Sequence, residues 1–283
     1  MAVEQAHRTA MSDLQAPVRA SLPMYNLPEM RSANAAFWEA VRQELANRGA
    51  RVSAMLEPER KAVPFEIEPD TLFTQVCGYP LQTIYRGQAA LLGAPVYAVN
   101  HCDGPTHAGV FVVDRNSAYR TLADLRGCRF VFNSIHSNSG MNLPRRAIAE
   151  IARGCPFFGS IAETHSHPAN IERVARGEAD ATCVDCVTYA FFCRHRPQLA
   201  DMTRVLAATP PSPSIPFVTS SATPDGLRER LQAALFAVAR DPAWSEVRAG
   251  LMLRDIAPVE LVSYAVQLRY EQEAVELGYP KLQ

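Results

Sequence analysis

The sequence predicts an α/β fold in two lobes, and three observations carry that prediction. Short apolar, strand-like runs alternate with amphipathic helical patterns along most of the chain, as βαβ units with largely parallel sheets do. At 283 residues the chain is longer than most single domains, so it divides into two domains or two lobes of one fold. Its composition, 48% hydrophobic and 20% charged, is that of an ordinary globular protein with enough apolar side chains for a core.

Each element follows from its own stretch. Residues 1–18 are polar and are expected to form a flexible N-terminus. "RASLPMY" (19–25) reads as a first strand, and "EMRSANAAFWEAVRQELANRG" (29–49) as an amphipathic helix stopped at Gly49. "RVSAMLE" (51–57) is a second strand, "TLFTQVCGYPL" (71–81) a strand ending in a Gly-Tyr-Pro turn, and "QAALLGAPVYAV" (88–99) another strand. "AGVFVVD" (108–114) is short and apolar, and "TLADLRGCRFVFN" (121–133) is a helical turn feeding a strand. A Ser-rich turn then opens a helix near Ser139 or Gly140, and "NIERVARGEADATCVD" (170–185) gives a helix stopped by Gly177 and a buried strand from Ala181 to Val184. "VTYAFFCRHRP" is a helix, "TRVLAAT" a strand, and the Pro-rich "PPSPSIPFVTS" ends as a strand. Helices near 224–240 and 242–252 follow, and "APVELVSYAVQLRYEQEAVELG" (257–278) reads as one long terminal helix.

Charge and motif content exclude several functions. The formal net charge is −1 with no Lys/Arg block, which argues against nucleic acid and anionic membranes as partners. No apolar run is long enough for membrane insertion. The first residues lack the apolar segment of a secretory leader, and seven cysteines, an odd number, suit a reducing compartment; both point toward the cytosol. No G-x-S-x-G elbow, no phosphate loop of the G-x-x-x-x-G-K-[ST] type and no G-x-G-x-x-G fingerprint is present, so neither an enzyme nor a bound cofactor is expected.

Six of the seven histidines, His101, His107, His136, His165, His167 and His195, fall within residues 101–195. They lack an H-E-x-x-H or paired-Cys pattern, and no metal site is expected from them. Cys183 and Cys186 have C-x-x-C spacing, but they follow a strand where a redox motif opens a helix, so they read as core packing. Asp185 between them is different, because ligand sites in α/β folds form just past strand ends.

The stretch "FNSIHSNSGMNLPRRAIAEIARG" (132–154) carries the functional reading. A helix start exposes unpaired N–H groups and the positive end of its dipole. Ser137, Asn138 and Ser139 add small side-chain donors, with Gly140 at the junction, so the segment suits either an anion held by neutral groups or a well-capped helix with an ornate turn.

This region resembles the phosphonate/phosphate solute-binding proteins of ABC transporters. The likeness lies in "LADLRGC" (122–128), "SNSG" (137–140), His167, and "GEADA" (177–181) followed by Asp185. It implies a two-lobed, type II periplasmic-binding-protein-like clamp, each lobe a mostly parallel sheet flanked by helices. Lobe 1 would comprise residues 19–102 plus 209–283, and lobe 2 residues 103–208. The resemblance further implies a small anionic ligand held between the lobes by His136, Ser137, Asn138, Ser139, Gly140 and His167. Asp185 would face a cationic end of that ligand, and Tyr25, Gln75, Gly78, Tyr79 and Pro80 would close the site from lobe 1. A monomer or weak dimer serving an ABC transporter permease in the periplasm is the implied setting. The chain departs from the family at Cys128, where Lys is usual, at Met141, where an aromatic is usual, and in its Gly-Tyr-Pro turn. Two other readings stay open: an enzyme on the same fold using His136, His167 and Asp185, and a cytosolic ligand-sensing domain.

Overall fold

The computed structural model describes residues 19–57 and 67–283; the expected flexible segment 1–18 lies outside them. The first part of the chain holds β1 (Arg19–Ser21), α1 (Arg31–Asn47), β2 (Leu56–Glu57), β3 (Thr71–Gln75), α2 (Gly78–Gln82) and β4 (Ala89–Tyr97). Next come β5 (Cys102–Asp103), β6 (Thr106–His107), β7 (Gly109–Asp114), β8 (Arg129–Phe132), α3 (Leu143–Ala152), β9 (Ser160–Glu163) and α4 (His167–Ala175). β10 (Ala181–Asp185), α5 (Cys186–His195), α6 (Pro197–Ala200), β11 (Thr203–Ala208), β12 (Ser212–Pro213) and β13 (Phe217–Ser220) follow. The chain ends with α7 (Asp225–Arg240), α8 (Ser245–Gly250), β14 (Leu253–Ala257) and α9 (Ala265–Glu276).

These elements form two compact units. The first takes the described residues up to Val76, Ile84–Ala98 and Ile215–Glu260. Its sheet has the order β14-β4-β13-β3-β1-β2. β1 pairs in parallel with β2 and β3, whereas β13 and β14 run against their neighbours. α1 supplies the apolar face: Phe37, Trp38, Val41 and Leu45 recur at helical spacing and are buried. Phe37 stacks on Phe217 and Trp38 on Phe73, with ring centroids 5.5 and 4.9 Å apart. Burying each such ring contributes roughly 1.5–3 kcal/mol. Gly49 ends α1 as expected, since its φ of +77° lets its own N–H reach Ala46 O and that of Ala50 reach Leu45 O.

The second unit comprises Cys77–Thr83, Val99–Ser214 and Leu261–Gln283. Its five-stranded sheet has the order β11-β7-β10-β8-β9. The parallel pairs β10/β8 and β8/β9 are joined through α3 and α4, the connection that parallel neighbours require. β7 lies reversed between β10 and β11, so both of its pairings are antiparallel. A small sheet, β12-β6-β5, sits beside it in the chain's order and brings Ser212 opposite His107.

The boundaries differ from the expected lobes in four places, and in two of them, residues 99–102 and 209–214, the second unit simply runs a few residues further than expected. Residues 77–83 and 261–283 group with the second unit rather than with the first. Side-chain chemistry explains both. Arg146 Nε binds Glu273 at 2.5 Å, Asn142 Nδ2 donates to Gln267 O at 2.9 Å, and Tyr79 Oη donates to Glu271 at 2.8 Å. α9 is thereby anchored to α3 and α2 by partners distant in sequence. Three local readings also shift. Only Leu56–Glu57 of "RVSAMLE" is strand, Gly-Tyr-Pro opens α2, and the terminal helix begins at Ala265 after a short turn, Leu261–Tyr264. Pro258 explains the last shift, because it restrains the residue before it to extended backbone and β14 runs to that residue.

Candidate functional site

The Ser-rich segment leaves β8 and enters a π-helical turn, Asn138–Asn142, that runs directly into α3. Such wide turns inside helices are frequent where a backbone is shaped for a task. The three polar residues that read alike in sequence do different work here. Ser137 is the N-cap: its Oγ accepts from Gly140 N at 2.9 Å and its carbonyl accepts from Asn142 N at 3.1 Å. Asn138 faces inward, donating Nδ2 to Ser212 Oγ at 2.9 Å and accepting from Asn142 Nδ2 at 3.2 Å. Its N–H is directed at Cys77 Sγ, 3.4 Å away. Ser139 is the one directed at an imidazole, with its Oγ 3.3 Å from His167 Nε2.

Gly140 is there for closeness rather than for an unusual φ. A β-carbon at this position would stand 2.0 Å from Asn133 Oδ1 and 3.1 Å from His167 Cε1. The turn packs on the end of β10, on α2 and on α9, which together fix its orientation within the second unit.

Two histidines and one carboxylate lie on this side of the unit. His107 is 2% exposed and His167 opens α4; the Nδ1 atom of each is buried without a hydrogen-bonding side chain or carbonyl. Burial pushes both imidazoles below their usual 6.5, while the nearby Asp185 charge pulls them back up. Asp185 stands at the end of β10 and caps α5. Its Oδ1 accepts from Thr188 N at 2.8 Å and its Oδ2 from Thr188 Oγ1 at 2.5 Å. The Cys77 thiol is raised, first by burial and further by Asp185. Among the described residues, no three His, Cys, Asp or Glu side chains converge as a metal site.

The second unit thus gathers Ser137, Asn138, Ser139, Gly140, His167 and Asp185. His136 is half-buried there, with its backbone N–H donating to Ser134 Oγ at 3.2 Å. Gly78, Tyr79 and Pro80, expected in lobe 1, belong to this same unit. Gly78 is held so tightly that a β-carbon would be 2.5 Å from Gln267 Nε2 and 2.6 Å from Tyr264 Cδ1. The Tyr79 hydroxyl is pushed up to about 12, by burial first and then by its bond to Glu271. Tyr25 and Gln75 are in the first unit: Tyr25 packs edge-on against Tyr97, and Gln75 Nε2 donates to Ile215 O at 3.4 Å. His107, Ser212, Asn142 and Gln267 are the site neighbours that the sequence reading did not single out as such. Only His107 carries a signal, a polar ring directly before an apolar strand.

Known proteins share this architecture. A binding-protein component of an ABC phosphonate transporter from Pseudomonas aeruginosa superposes with a TM-score of 0.73 at 14% identity, covering 93% of this chain and 88% of its own. PhnD1 from Prochlorococcus marinus, solved with methylphosphonate, gives 0.71 at 15% identity, with 92% and 98% covered. A Xanthomonas citri protein solved with ATP gives 0.65 at 15% identity, with 93% and 98% covered. At these identities the likeness establishes the fold, that of the two-lobed periplasmic binding proteins. The sequence has no match among curated proteins. Residues 84–264, well over half of the chain, do match the family described as "ABC transporter, phosphonate, periplasmic substrate-binding protein", and the chain belongs to that family of binding components.

Proposed function

We propose that this chain binds a small oxyanion of the phosphonate or phosphate class at the Ser137–Gly140 turn and delivers it to an ABC transporter permease. The observation that carries the reading is Ser139 Oγ at 3.3 Å from His167 Nε2, on a buried turn that opens a helical run. In either tautomer of a neutral imidazole this pair leaves one proton without an acceptor of its own. If Nε2–H donates to Ser139, the hydroxyl proton is free for the ligand. If Ser139 donates to Nε2, the ring proton is on Nδ1, which is buried and has no partner of its own. Neutral donors to an oxyanion are charge-assisted hydrogen bonds and give affinity without a lysine. Asp185, one strand end away, suits a ligand whose far end is cationic. The methylphosphonate and ATP found in the fold relatives are phosphorus oxyanions, which supports the same class.

Titration calorimetry with methylphosphonate, 2-aminoethylphosphonate, phosphate, sulfate and acetate tests the assignment. Saturable binding of a phosphorus oxyanion is expected. Ser139→Ala should weaken it by about 1–3 kcal/mol, roughly five- to 150-fold in Kd. Unchanged affinity in that variant, or no binding by any phosphorus oxyanion, removes the turn from the site.

A further inference from the structure

The seven cysteines hold a feature that the C-x-x-C spacing obscures. Cys183 Sγ packs beside Gly109 of β7, where an added β-carbon would lie 3.0 Å from the sulfur. Cys186 meets a different thiol: its Sγ is 3.4 Å from Cys102 Sγ, across 84 residues of sequence. Among the described residues this is the pair in sulfur–sulfur contact.

We propose that Cys102 and Cys186 are a disulfide-forming pair, a modification site that staples the β5–β6 hairpin to the first turn of α5. Backbone hydrogen bonds hold both residues in place, so the encounter is built in. Cys102 N donates to Val99 O at 3.1 Å, and Cys102 stands opposite His107 in the hairpin. Cys186 N donates to Ala108 O at 3.0 Å, and its sulfur also lies 3.7 Å from His101 O. A disulfide needs the sulfurs at about 2.05 Å, so they must approach by little more than an ångström, within reach of small side-chain rotations.

The two thiols have unequal roles. Cys102 is half-buried and within reach of an oxidant, whereas Cys186 is 3% exposed. The oxidant is a disulfide, either a small molecule such as glutathione disulfide or a thiol–disulfide oxidoreductase. Cys102 gives up its proton, attacks one oxidant sulfur and expels the other as a thiolate. Cys186 then gives up its proton, attacks Cys102 Sγ and expels the second oxidant sulfur. Two protons and two electrons leave the protein, one S–S bond forms in it, and the oxidant's S–S bond is reduced to two thiols. In the reduced protein the bond to Cys102 and then burial raise the Cys186 thiol, which leaves the more accessible Cys102 as the first to react.

The staple joins the hairpin that carries His107 to the helix that Asp185 caps. It is independent of what the turn binds, and its test needs no ligand.

The full native chain would be incubated with glutathione disulfide, its remaining thiols alkylated under denaturing conditions, and its peptides mapped by mass spectrometry. The free-thiol count should fall from seven to five, with a Cys102–Cys186 crosslinked peptide. Closing a loop of this length should raise the apparent Tm by about 5–15 °C, reversibly on reduction. Cys155→Ser, which changes an exposed thiol, should leave the crosslink intact, and Cys102→Ala should abolish it. The wild-type peptide map decides the matter even if Cys102→Ala does not fold. Seven free thiols after oxidant treatment, a crosslink between other cysteines, or a stable glutathione adduct on Cys102 would each overturn the proposal.

Discussion

Replacing Asp185 separates what its shape does from what its charge does. The carboxylate accepts two bonds from Thr188, one from the backbone and one from the hydroxyl, and it is 2% exposed. Asp185→Asn keeps an acceptor for Thr188 N, and its amide can donate to the Thr188 hydroxyl, which rotates to accept. The number of hydrogen bonds is preserved, but both become neutral, and the favourable interaction with the α5 dipole is lost. Hydrogen bonds to a charged group exceed neutral ones by about 1 kcal/mol, and the dipole contributes about 0.3–1 kcal/mol. Relief of the buried charge offsets part of this loss, so a net destabilisation of about 1–2 kcal/mol is expected. Asp185→Ala instead strands two buried donors, each costing about 1–3 kcal/mol, for a total of about 2–6 kcal/mol. At roughly 2–4 °C per kcal/mol, the Asn variant should melt about 2–8 °C below the native chain and the Ala variant clearly lower still.

The same pair of variants reads the field on the imidazoles. Removing the charge withdraws the influence that raises His107 and His167, so both should titrate at lower pH in the Asn variant, followed by NMR of the ring protons. Equal melting temperatures for the Asn and Ala variants would refute the capping account. Unchanged imidazole titrations would refute the electrostatic one.

Three further outcomes follow from particular contacts. Gly159→Ala should destabilise by about 2–4 kcal/mol in urea unfolding, because its β-carbon would stand 2.3 Å from Gly127 O, a backbone atom that cannot rotate away. Ser137→Ala should cost about 1 kcal/mol through loss of its cap on Gly140 N, a stability effect measurable without ligand. The chain should also lose stability as pH falls through about 6.5 in thermal melts. Burial lowers His107 and His167 in the folded state, so below 6.5 the unfolded chain takes up protons that the folded one refuses; His107→Gln should flatten that slope.

How far the sequence speaks for itself differs from element to element. The strands and helices of "AGVFVVD", "FVTS" and "EMRSANAAFWEAVRQELANRG" are legible because apolar periodicity is local and their ends carry Gly or Pro. The reversed strands are not: periodicity states that β7 and β13 are buried but not which neighbour they meet or in which direction. Allocation of α9 was illegible for a related reason. Its tie to the second unit runs through Arg145, Arg146 and Tyr79 to Glu271 and Glu273, ion pairs and hydrogen bonds that leave no periodic trace.

The Ser137–Asn138–Ser139 run shows the same limit at the scale of three residues. As sequence it is a row of equivalent donors before a helix, and the family resemblance assigns them one role. In the fold each is claimed by a partner from a different distance. Ser137 Oγ accepts from Gly140 N three residues away, Asn138 is drawn inward by Ser212, 74 residues on, and Ser139 meets His167, 28 residues on. Capping is a local code and can be read along the chain. Donor availability is what remains after long-range partners have been satisfied, so it is fixed only once β12, α4 and α9 have packed around the turn. The proposed role of Ser139 as the anion's donor therefore rests on its one long-range contact: its hydroxyl meets an imidazole that can accept or donate, whereas the Asn138 amide is turned inward to Ser212.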